Sequence, residues 1–268
     1  MVGSRVGSRV GSPLGYSLAE SGFATIPDVG THTAWWRGDL GVTIGAGGVT
    51  AWTDQIGGAV LAQSTEAERP QLVSASFGTP ALYFDIAGSD NLTTTDAGVV
   101  ALTAGADQPW TAMLVADTDQ TSGVGVAIAW SDVDLDTDFI YCGANDTSVR
   151  AVINDGGSTT TRTGTNGYGT KAVVVFRMSA GGTAIRAYVN GGANEISAGF
   201  NEGSLSIDTF SVGALVGASG VSLEHNSYLR VPELSLWDGS LSEANINTVG
   251  EYMAALHGAP WTTITDIP

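Results

Sequence analysis

The sequence predicts an all-β, antiparallel sandwich with one helix near its C-terminus and an extended arm at its N-terminus. Three observations indicate this fold class. Short apolar runs separated by turn residues recur along most of the chain, helical periodicity is confined to one segment, and the first residues form small tandem repeats. Hydrophobic residues make up 43% of the 268, which is enough for one large core.

The charge balance excludes several classes of partner. The chain carries 27 Asp+Glu against 10 Lys+Arg, a formal charge of −17. Nucleic acids and anionic membrane surfaces attract basic proteins, so we expect neither as a partner. No apolar run approaches the roughly 18 residues of a membrane span, and the N-terminus has no apolar core of a secretory signal. We therefore expect synthesis in the cytoplasm without export.

The N-terminal arm, residues 1–31, begins with three tetrads that share the letters Val-Gly-Ser. Such Gly- and Ser-rich repeats bury little surface, so the arm is either a flexible leader or a docking segment that becomes ordered on a partner. Its two arginines suit an acidic partner surface. The residues predicted to make this assembly contact are Val2, Arg5, Val6, Arg9 and Val10.

Strands follow one another from about residue 32 onward. Their predicted positions are Trp35 and Trp36, then residues 49–52, 81–84, 110–116, 124–130, 139–142, 149–153, 172–176, 183–189, 205–212 and 229–237. Two turns are marked by residues that tolerate positive φ, namely Asn154-Asp155-Gly156-Gly157 and the hairpin signal Asn190-Gly191. This spacing is typical of a sandwich.

One helix is predicted after the last strand. The run Ser240-Leu-Ser-Glu243 fits a capping box, and Ile246, Val249, Met253 and Leu256 then recur at helical spacing. Gly258 supplies a left-handed cap and Pro260 ends the helix. Residues 259–268 are expected to form a tail.

Several of these segments resemble the concanavalin A-like, laminin G-like jelly rolls. The similarity lies in Ala34-Trp-Trp-Arg-Gly-Asp39, Gly48-Val-Thr-Ala-Trp-Thr-Asp-Gln55, Ala81-Leu-Tyr-Phe-Asp85, Arg186-Ala-Tyr-Val-Asn-Gly191 and Pro232-Glu-Leu-Ser-Leu-Trp-Asp238. The segment after Phe84 has two extra residues before its glycine. The resemblance implies a jelly-roll domain over residues 32–258.

Jelly rolls of this kind without disulfides occur in structural proteins of tailed bacteriophages. The resemblance therefore implies a non-enzymatic virion protein on the outside of the head or tail, anchored by its arm to capsid or tail subunits. We expect it to form homo-oligomers there and to contact host glycans weakly. The alternatives are a primary carbohydrate-binding module and a glycosidase, since fold alone does not fix activity.

The acidic segment between residues 131 and 138 has three interpretations. If it is extended, Asp132, Asp134, Asp136 and Asp138 share one face, as catalytic carboxylates of glucanases do. The order of that motif is missing here, so calcium binding by these oxygens is the better functional interpretation, and a solvated acidic loop is the simpler one. No other cofactor is expected.

Aromatic side chains are the remaining candidates for sugar contact. Trp35, Trp52, Trp110 and Trp237 lie in predicted strands and are expected in the core. Four others lie beside polar loops or point away from that core, and they are the predicted glycan platform: Trp36, Trp130, Tyr141 and Tyr168. The single cysteine, Cys142, is expected to be a small buried side chain.

Overall fold

The computed structural model describes residues 25–265 except 75–76, 120–124, 135–136, 194, 200–202, 218–221 and 225–227. The predicted arm residues Val2, Arg5, Val6, Arg9 and Val10 therefore lie outside the described residues. In chain order the strands are β1 Thr31–Arg37, β2 Val42–Gly45, β3 Gly48–Thr53, β4 Val60–Ala62, β5 Gln71–Val73, β6 Ala81–Phe84, β7 Leu92–Thr94, β8 Gly105–Ala106, β9 Trp110–Thr118, β10 Gly125–Ser131, β11 Phe139–Ala144, β12 Val149–Asp155, β13 Ser158–Thr163, β14 Ala172–Met178, β15 Ala184–Val189, β16 Ile196–Gly199, β17 Ser204–Leu205, β18 Thr209–Val212, β19 Leu215–Val216, β20 Ser222–Glu224 and β21 Leu229–Asp238. The helices are α1 Ala97–Val100 and α2 Glu243–His257.

Two antiparallel sheets pack face to face, which confirms the predicted sandwich. Sheet A has the order β16-β15-β14-β9-β21-β6-β5, with β1 also paired to β21. Sheet B has the order β13-β12-β11-β10-β18-β7-β4-β3-β2. Side chains that alternate along each strand fill the space between the sheets, because successive strand residues point to opposite faces.

Strand β21 organises sheet A. One edge of β21 pairs with β9, and its other edge pairs first with β6 and then with β1. The change of partner occurs at Pro232, whose carbonyl accepts a 2.7 Å hydrogen bond from the Gly38 amide. A proline is tolerated at this point because it lies between the two ladders and donates to neither.

Helix α2 covers the outer face of sheet A. Ile246, Val249 and Met253 are buried against Val115 and Val175 of the sheet, which confirms the predicted apolar stripe except at its last member, Leu256, which is only half-buried. The helix ends at Gly258, which adopts φ 62° as expected for a left-handed cap.

The start of α2 differs from the prediction. Ser242, and not Ser240, is the N-cap, because its hydroxyl accepts a hydrogen bond from the Asn245 amide. Ser240 instead donates to the Met178 carbonyl at 2.6 Å, which fastens the end of β14 to the loop before the helix. The hydrogen bond of Ser240 to β14 leaves Ser242 as the cap.

The residues expected to form a tail pack onto the domain. Ile264 is fully buried in the cluster under α2, and its backbone exchanges two hydrogen bonds with the Asn247 side chain. Thr262 forms a parallel bridge with Gly191 after β15. Asn190 and Gly191 have the expected positive φ values. The loop between β15 and β16 is nevertheless longer than a two-residue hairpin, and its Gly191 forms the backbone bridge to Thr262.

The outer face of sheet B carries a second, smaller apolar cluster. Leu215 covers Val126, Ala129, Tyr141 and Val152 there. The covering segment is fastened to the sheet by two serine hydroxyls, Ser131 to the Val216 carbonyl and Ser211 to the Ala214 carbonyl, each at 2.7 Å. Within the described part of the chain, no helix is long and apolar enough to cross a membrane.

Candidate functional site

The predicted glycan platform is wrong, because all four aromatic side chains are buried. Trp36 and Trp130 are 0% exposed, Tyr141 is 4% and Tyr168 is 1% exposed. Trp36 stacks on Phe210 in the core between the sheets, with ring centroids 6.0 Å apart. Trp130 packs between Phe210 and Trp110 and donates to the Val99 carbonyl at 3.1 Å. Neither tryptophan can offer a flat face to a sugar.

The two tyrosines are buried in different places. Tyr141 lies on the outer face of sheet B beneath Leu215, where its ring stacks on Phe139. Tyr168 lies in the main core, and burial raises the pKa of its phenol far above the ordinary value. Sequence could not reveal either result, since the loops next to these residues are polar while the side chains point inward.

The described residues of the acidic segment, 132–134 and 137–138, form no strand. Strand β10 ends at Ser131 and β11 begins at Phe139, and the Asp132 amide donates to the Asp138 carbonyl at 2.9 Å to close the turn. The prediction that these carboxylates share one face is therefore wrong for Asp132, Asp134 and Asp138. Asp136 lies outside the described residues.

Asp138 has a structural role. Its carboxylate accepts hydrogen bonds from the amides of Gly156, at 3.0 Å, and Ser206, at 2.7 Å. These bonds tie the β12–β13 turn and the segment before β18 to the acidic turn. Asp138 therefore does not extend towards the other carboxylates.

A smaller acidic group remains as the candidate cation site. Carboxylate oxygens of Asp132, Asp134 and Asp208 lie within 4.8 Å of one another. Asp208 was missed by the sequence analysis, because it comes from the residue before β18, which pairs with β10. Oxygen donors in such a group suit a hard cation such as Ca²⁺, so calcium binding stays a prediction with Asp208 in place of Asp138.

An open cleft of about 370 Å³ lies where β1 meets the turn after β3. Its walls come from the segment before β1, from β1 itself and from the turn that joins β3 to β4. The lining residues are Thr25, Ile26, Asp28, His32, Trp35, Gln55 and Ile56. The cleft combines an apolar surface with a few polar side chains, as small-molecule sites in proteins commonly do.

Asp54 builds the turn that forms one wall of the cleft. Its buried carboxylate accepts hydrogen bonds from the amides of Trp35, Ile56, Gly57 and Gly58. One side chain thus joins the turn to β1 and fixes the two residues that face the cleft. This explains the Trp-x-Asp-x-x-Gly pattern at residues 52–57, because the aspartate satisfies the amides of the turn.

Two aromatic rings support the cleft from below. Trp35 is nearly buried, and its Nε1–H donates to the carboxylate of Glu233 at 2.6 Å. His32 stacks on Trp237, with centroids 4.5 Å apart and planes 9° apart, and hydrogen bonds the Ser235 hydroxyl. Burial lowers the pKa of His32 to about 4, although Asp54 and Asp28 oppose that shift. His32 is therefore neutral near pH 7 and can donate or accept a hydrogen bond.

The carboxylate beneath Trp35 belongs to a buried network. Glu233 is 0% exposed, and its second oxygen is 2.5 Å from Nε2 of His257 at the end of α2. The other ring nitrogen of His257 is 2.9 Å from the Thr79 hydroxyl. Glu233 also hydrogen bonds Tyr252 and, with burial, raises the pKa of that phenol. The network joins helix α2 to the floor of the cleft.

The sequence analysis missed this cleft. Trp35 was expected in the core, which is correct for most of its surface. No site was predicted from the other lining residues. The available signal was the pattern Trp52-Thr-Asp54-Gln-Ile-Gly57-Gly58, in which an aspartate precedes two glycines and predicts a tight turn. Ile56 is 47% exposed, which is high for a large apolar side chain.

Comparisons with known proteins identify the fold. No family model matches the sequence, and no curated protein matches it either. Among solved structures, the chain resembles the Ruminococcus gnavus IT-sialidase CBM40 bound to α2,6-sialyllactose, with TM-score 0.50 and 11% identity over 71% of this chain and 97% of that one. The chain is a lectin-like jelly roll.

Two other solved structures support the same fold. The binding domain of botulinum neurotoxin serotype C1 matches with TM-score 0.59 and 10% identity over 83% of this chain. A botulinum neurotoxin type C structure, described as depending on two ganglioside molecules for cell entry, matches with TM-score 0.57 and 11% identity over the same share. This chain spans about half the length of those chains, 52% and 51%.

Proposed function

We propose that this protein is a carbohydrate-binding module and that it binds a saccharide in the cleft beside β1. The observation that carries the proposal is the open cleft of about 370 Å³ on a jelly roll of the kind found in carbohydrate-binding domains. This was the alternative in the sequence analysis, and the fold supports it better than a purely structural role.

The chemistry of the cleft suits sugar rings. A pyranose has apolar C–H faces and a rim of hydroxyl groups that both donate and accept hydrogen bonds. Ile56 and the edge of Trp35 provide the apolar surface, while Asp28, His32 and Gln55 provide carboxylate, imidazole and amide groups at its margin. The cleft is shallow and open, so one copy binds weakly and tight attachment requires several copies.

The direct test is a glycan array probed with the full chain, followed by calorimetry with the sugars that bind. Gln55→Ala and Asp28→Ala should each weaken binding about five- to tenfold, because each removes one hydrogen-bonding group worth about 1 kcal/mol. Lactose and α2,6-sialyllactose are suitable first ligands, since sialyllactose is the ligand in one structural neighbour.

Gln108→Ala is the matched control. Gln55 and Gln108 each donate a 2.7 Å hydrogen bond to the carbonyl two residues before them, and only Gln55 lines the cleft. The control should therefore bind like the wild type. An array without binding would overturn the proposal, and binding that survives both cleft variants would overturn the assignment to this cleft.

The virion role is a second, separate proposal. It is supported by the tandem repeats of the arm and by the resemblance described above. Deleting residues 1–14 should abolish incorporation into a phage particle and leave sugar binding unchanged. Mass spectrometry of purified particles checks the first outcome. Particles without the full-length chain, or particles that retain the shortened one, would contradict the proposal.

A further inference from the structure

We propose that Arg150 binds the carboxylate of an acidic sugar on the outer face of sheet B. The proposal rests on the proposed function, sugar binding by this chain, but it concerns a different surface and a different ligand chemistry. It assigns this surface to uronic-acid-type saccharides, whose rings carry both hydroxyl groups and a carboxylate.

The strand register places Arg150 on that outer face. Ala151 and Ile153 of β12 point into the main core, and Val152 points into the small outer cluster. Arg150 and Asn154 share the face of Val152, because side chains alternate along a strand. Neighbouring strand β13 pairs Thr163 with Arg150, Thr161 with Val152 and Thr159 with Asn154. The three threonines are exposed and therefore form a row of hydroxyl groups beside Arg150.

Arg150 differs from the other described basic side chains because none of the described residues gives it a hydrogen bond or an ion pair. Its Nε–H is buried, and no atom in the described ranges accepts a hydrogen bond from it. Arg37 and Arg230 bind carboxylates, whereas Arg69 and Arg162 donate to backbone carbonyls. A buried donor without an acceptor costs free energy, so this guanidinium is suited to an acceptor from outside.

The charge balance strengthens this inference. The chain has 27 acidic residues and 10 basic ones, so a carboxylate partner for a surface arginine should be easy to obtain. A guanidinium also matches a carboxylate through two parallel hydrogen bonds, which a neutral hydroxyl cannot reproduce. The position of Arg150 without such a partner favours a carboxylate ligand.

The rest of the surface fits a saccharide chain. From Arg150 to Asn154 the strand runs about 13 Å, at about 3.3 Å per residue. Half-buried Phe139 pairs with Asn154 at the far end, on the opposite side of β12 from the exposed hydroxyl row, and offers an apolar edge there. Arg150 thus marks the charged end of an elongated surface with hydroxyl, amide and aromatic groups along it.

This surface is separate from the cleft. The order of sheet B places five strand spacings between β12 and β4, or roughly 24 Å at about 4.8 Å per spacing. Substitutions at one surface should therefore leave binding at the other unchanged. The two proposals can fail independently.

The test compares acidic sugars with uncharged counterparts of the same size, by calorimetry and by ¹⁵N chemical-shift mapping on the full chain. Trigalacturonate and its methyl ester form one pair, and a hyaluronan tetrasaccharide and its carboxyl-reduced form make the other. We expect the acidic member of at least one pair to bind at least tenfold more tightly and to shift the amides of Thr159, Thr161 and Thr163. Arg150→Gln should remove that preference, and Arg150→Lys should retain part of it.

Arg162→Gln is the matched control. Arg162 lies in β13 directly opposite Ala151, points to the other face and donates to the Gly199 carbonyl. It removes the same charge, so it should leave the acidic preference intact if its melting temperature shows that it folds. Should Arg150→Gln fail to fold, Arg150→Lys and the wild-type shift map still decide the outcome.

Equal binding of charged and uncharged sugars would overturn the proposal, as would an unchanged preference in Arg150→Gln. Binding of an acidic peptide such as triaspartate, without binding of either acidic sugar, would assign the surface to protein ligands and also overturn it. Neutral sugars that bind through the cleft, together with acidic sugars that do not bind at all, would overturn this inference alone. A glycan array without any binding would overturn the proposed function as well.

Discussion

Replacing His257 with alanine should loosen helix α2 from the floor of the cleft. In the native protein the Glu233 carboxylate is fully buried and accepts from the Trp35 indole on one oxygen, while its other oxygen faces the His257 imidazole. His257→Ala removes one partner and leaves the carboxylate in an apolar place. Glu233→Gln instead removes the charge and keeps the shape.

The expected size of the effect follows from the burial of both groups. Removing the hydrogen-bond partner of a buried carboxylate costs about 3 kcal/mol, because that oxygen is left desolvated. At about 2–4 °C per kcal/mol for a domain of this size, the melting temperature should fall by roughly 10 °C. Adding Glu233→Gln to His257→Ala should recover part of that loss, since no buried charge then remains.

Urea unfolding followed by tryptophan fluorescence measures these changes, and the four proteins form a double-mutant cycle. The coupling energy should exceed about 1 kcal/mol. A loss below about 1 kcal/mol in His257→Ala, or a cycle without coupling, would refute the role assigned to this pair. Gln108→Ala again serves as a control, because it lies away from the network.

Three further predictions concern other side chains. Asp54→Ala should lower the free energy of unfolding by about 2 kcal/mol or more, because four amides lose their acceptor. Urea unfolding measures this change, and a loss below about 0.5 kcal/mol would contradict the role of Asp54. The contribution of His32 to stability should rise with pH between about pH 4 and 6.5, because burial lowers its pKa to about 4 and the unfolded chain takes up the proton first. The contribution of Asp90 to stability should fall with pH between about pH 4 and 6, because burial raises its pKa to about 6. Melting temperatures across this range should therefore change in opposite directions in His32→Asn and Asp90→Asn relative to the wild type, and parallel profiles would contradict the assignment. If the acidic turn binds calcium, millimolar calcium should raise the melting temperature of the wild type and leave that of Asp208→Asn unchanged. If calcium does not raise the melting temperature of the wild type, the three carboxylates belong to a solvated turn without a cation.

The sequence was sufficient for the architecture, because the features that define it are local. Alternating and continuous apolar runs give the strands, and the stripe through Ile246, Val249 and Met253 gives the helix. The exact cap was not predictable, since the capping-box pattern favours Ser240, whereas in the fold the Ser240 hydroxyl bonds to the end of β14 and Ser242 caps the helix.

The sites were less predictable, because they depend on pairings between distant residues. Asp208 joins Asp132 and Asp134 only because β18 pairs with β10. Trp130 looked accessible beside its acidic turn, but three aromatic rings meet there in the core. The cleft combines residues before β1 and within β1 with a turn about twenty positions later, and local pattern does not reveal such a combination.

The position of β21 has a consequence for how the polypeptide acquires its structure during synthesis. Strands β1, β6 and β9 all pair with β21, so the first of them leaves the ribosome about 200 residues before its partner does. Contacts so distant along the chain form slowly, and the waiting strand edges are open to wrong pairing. A nascent chain that ends before residue 229 should therefore depend on chaperones to remain free of aggregation, whereas one released after residue 238 can complete sheet A.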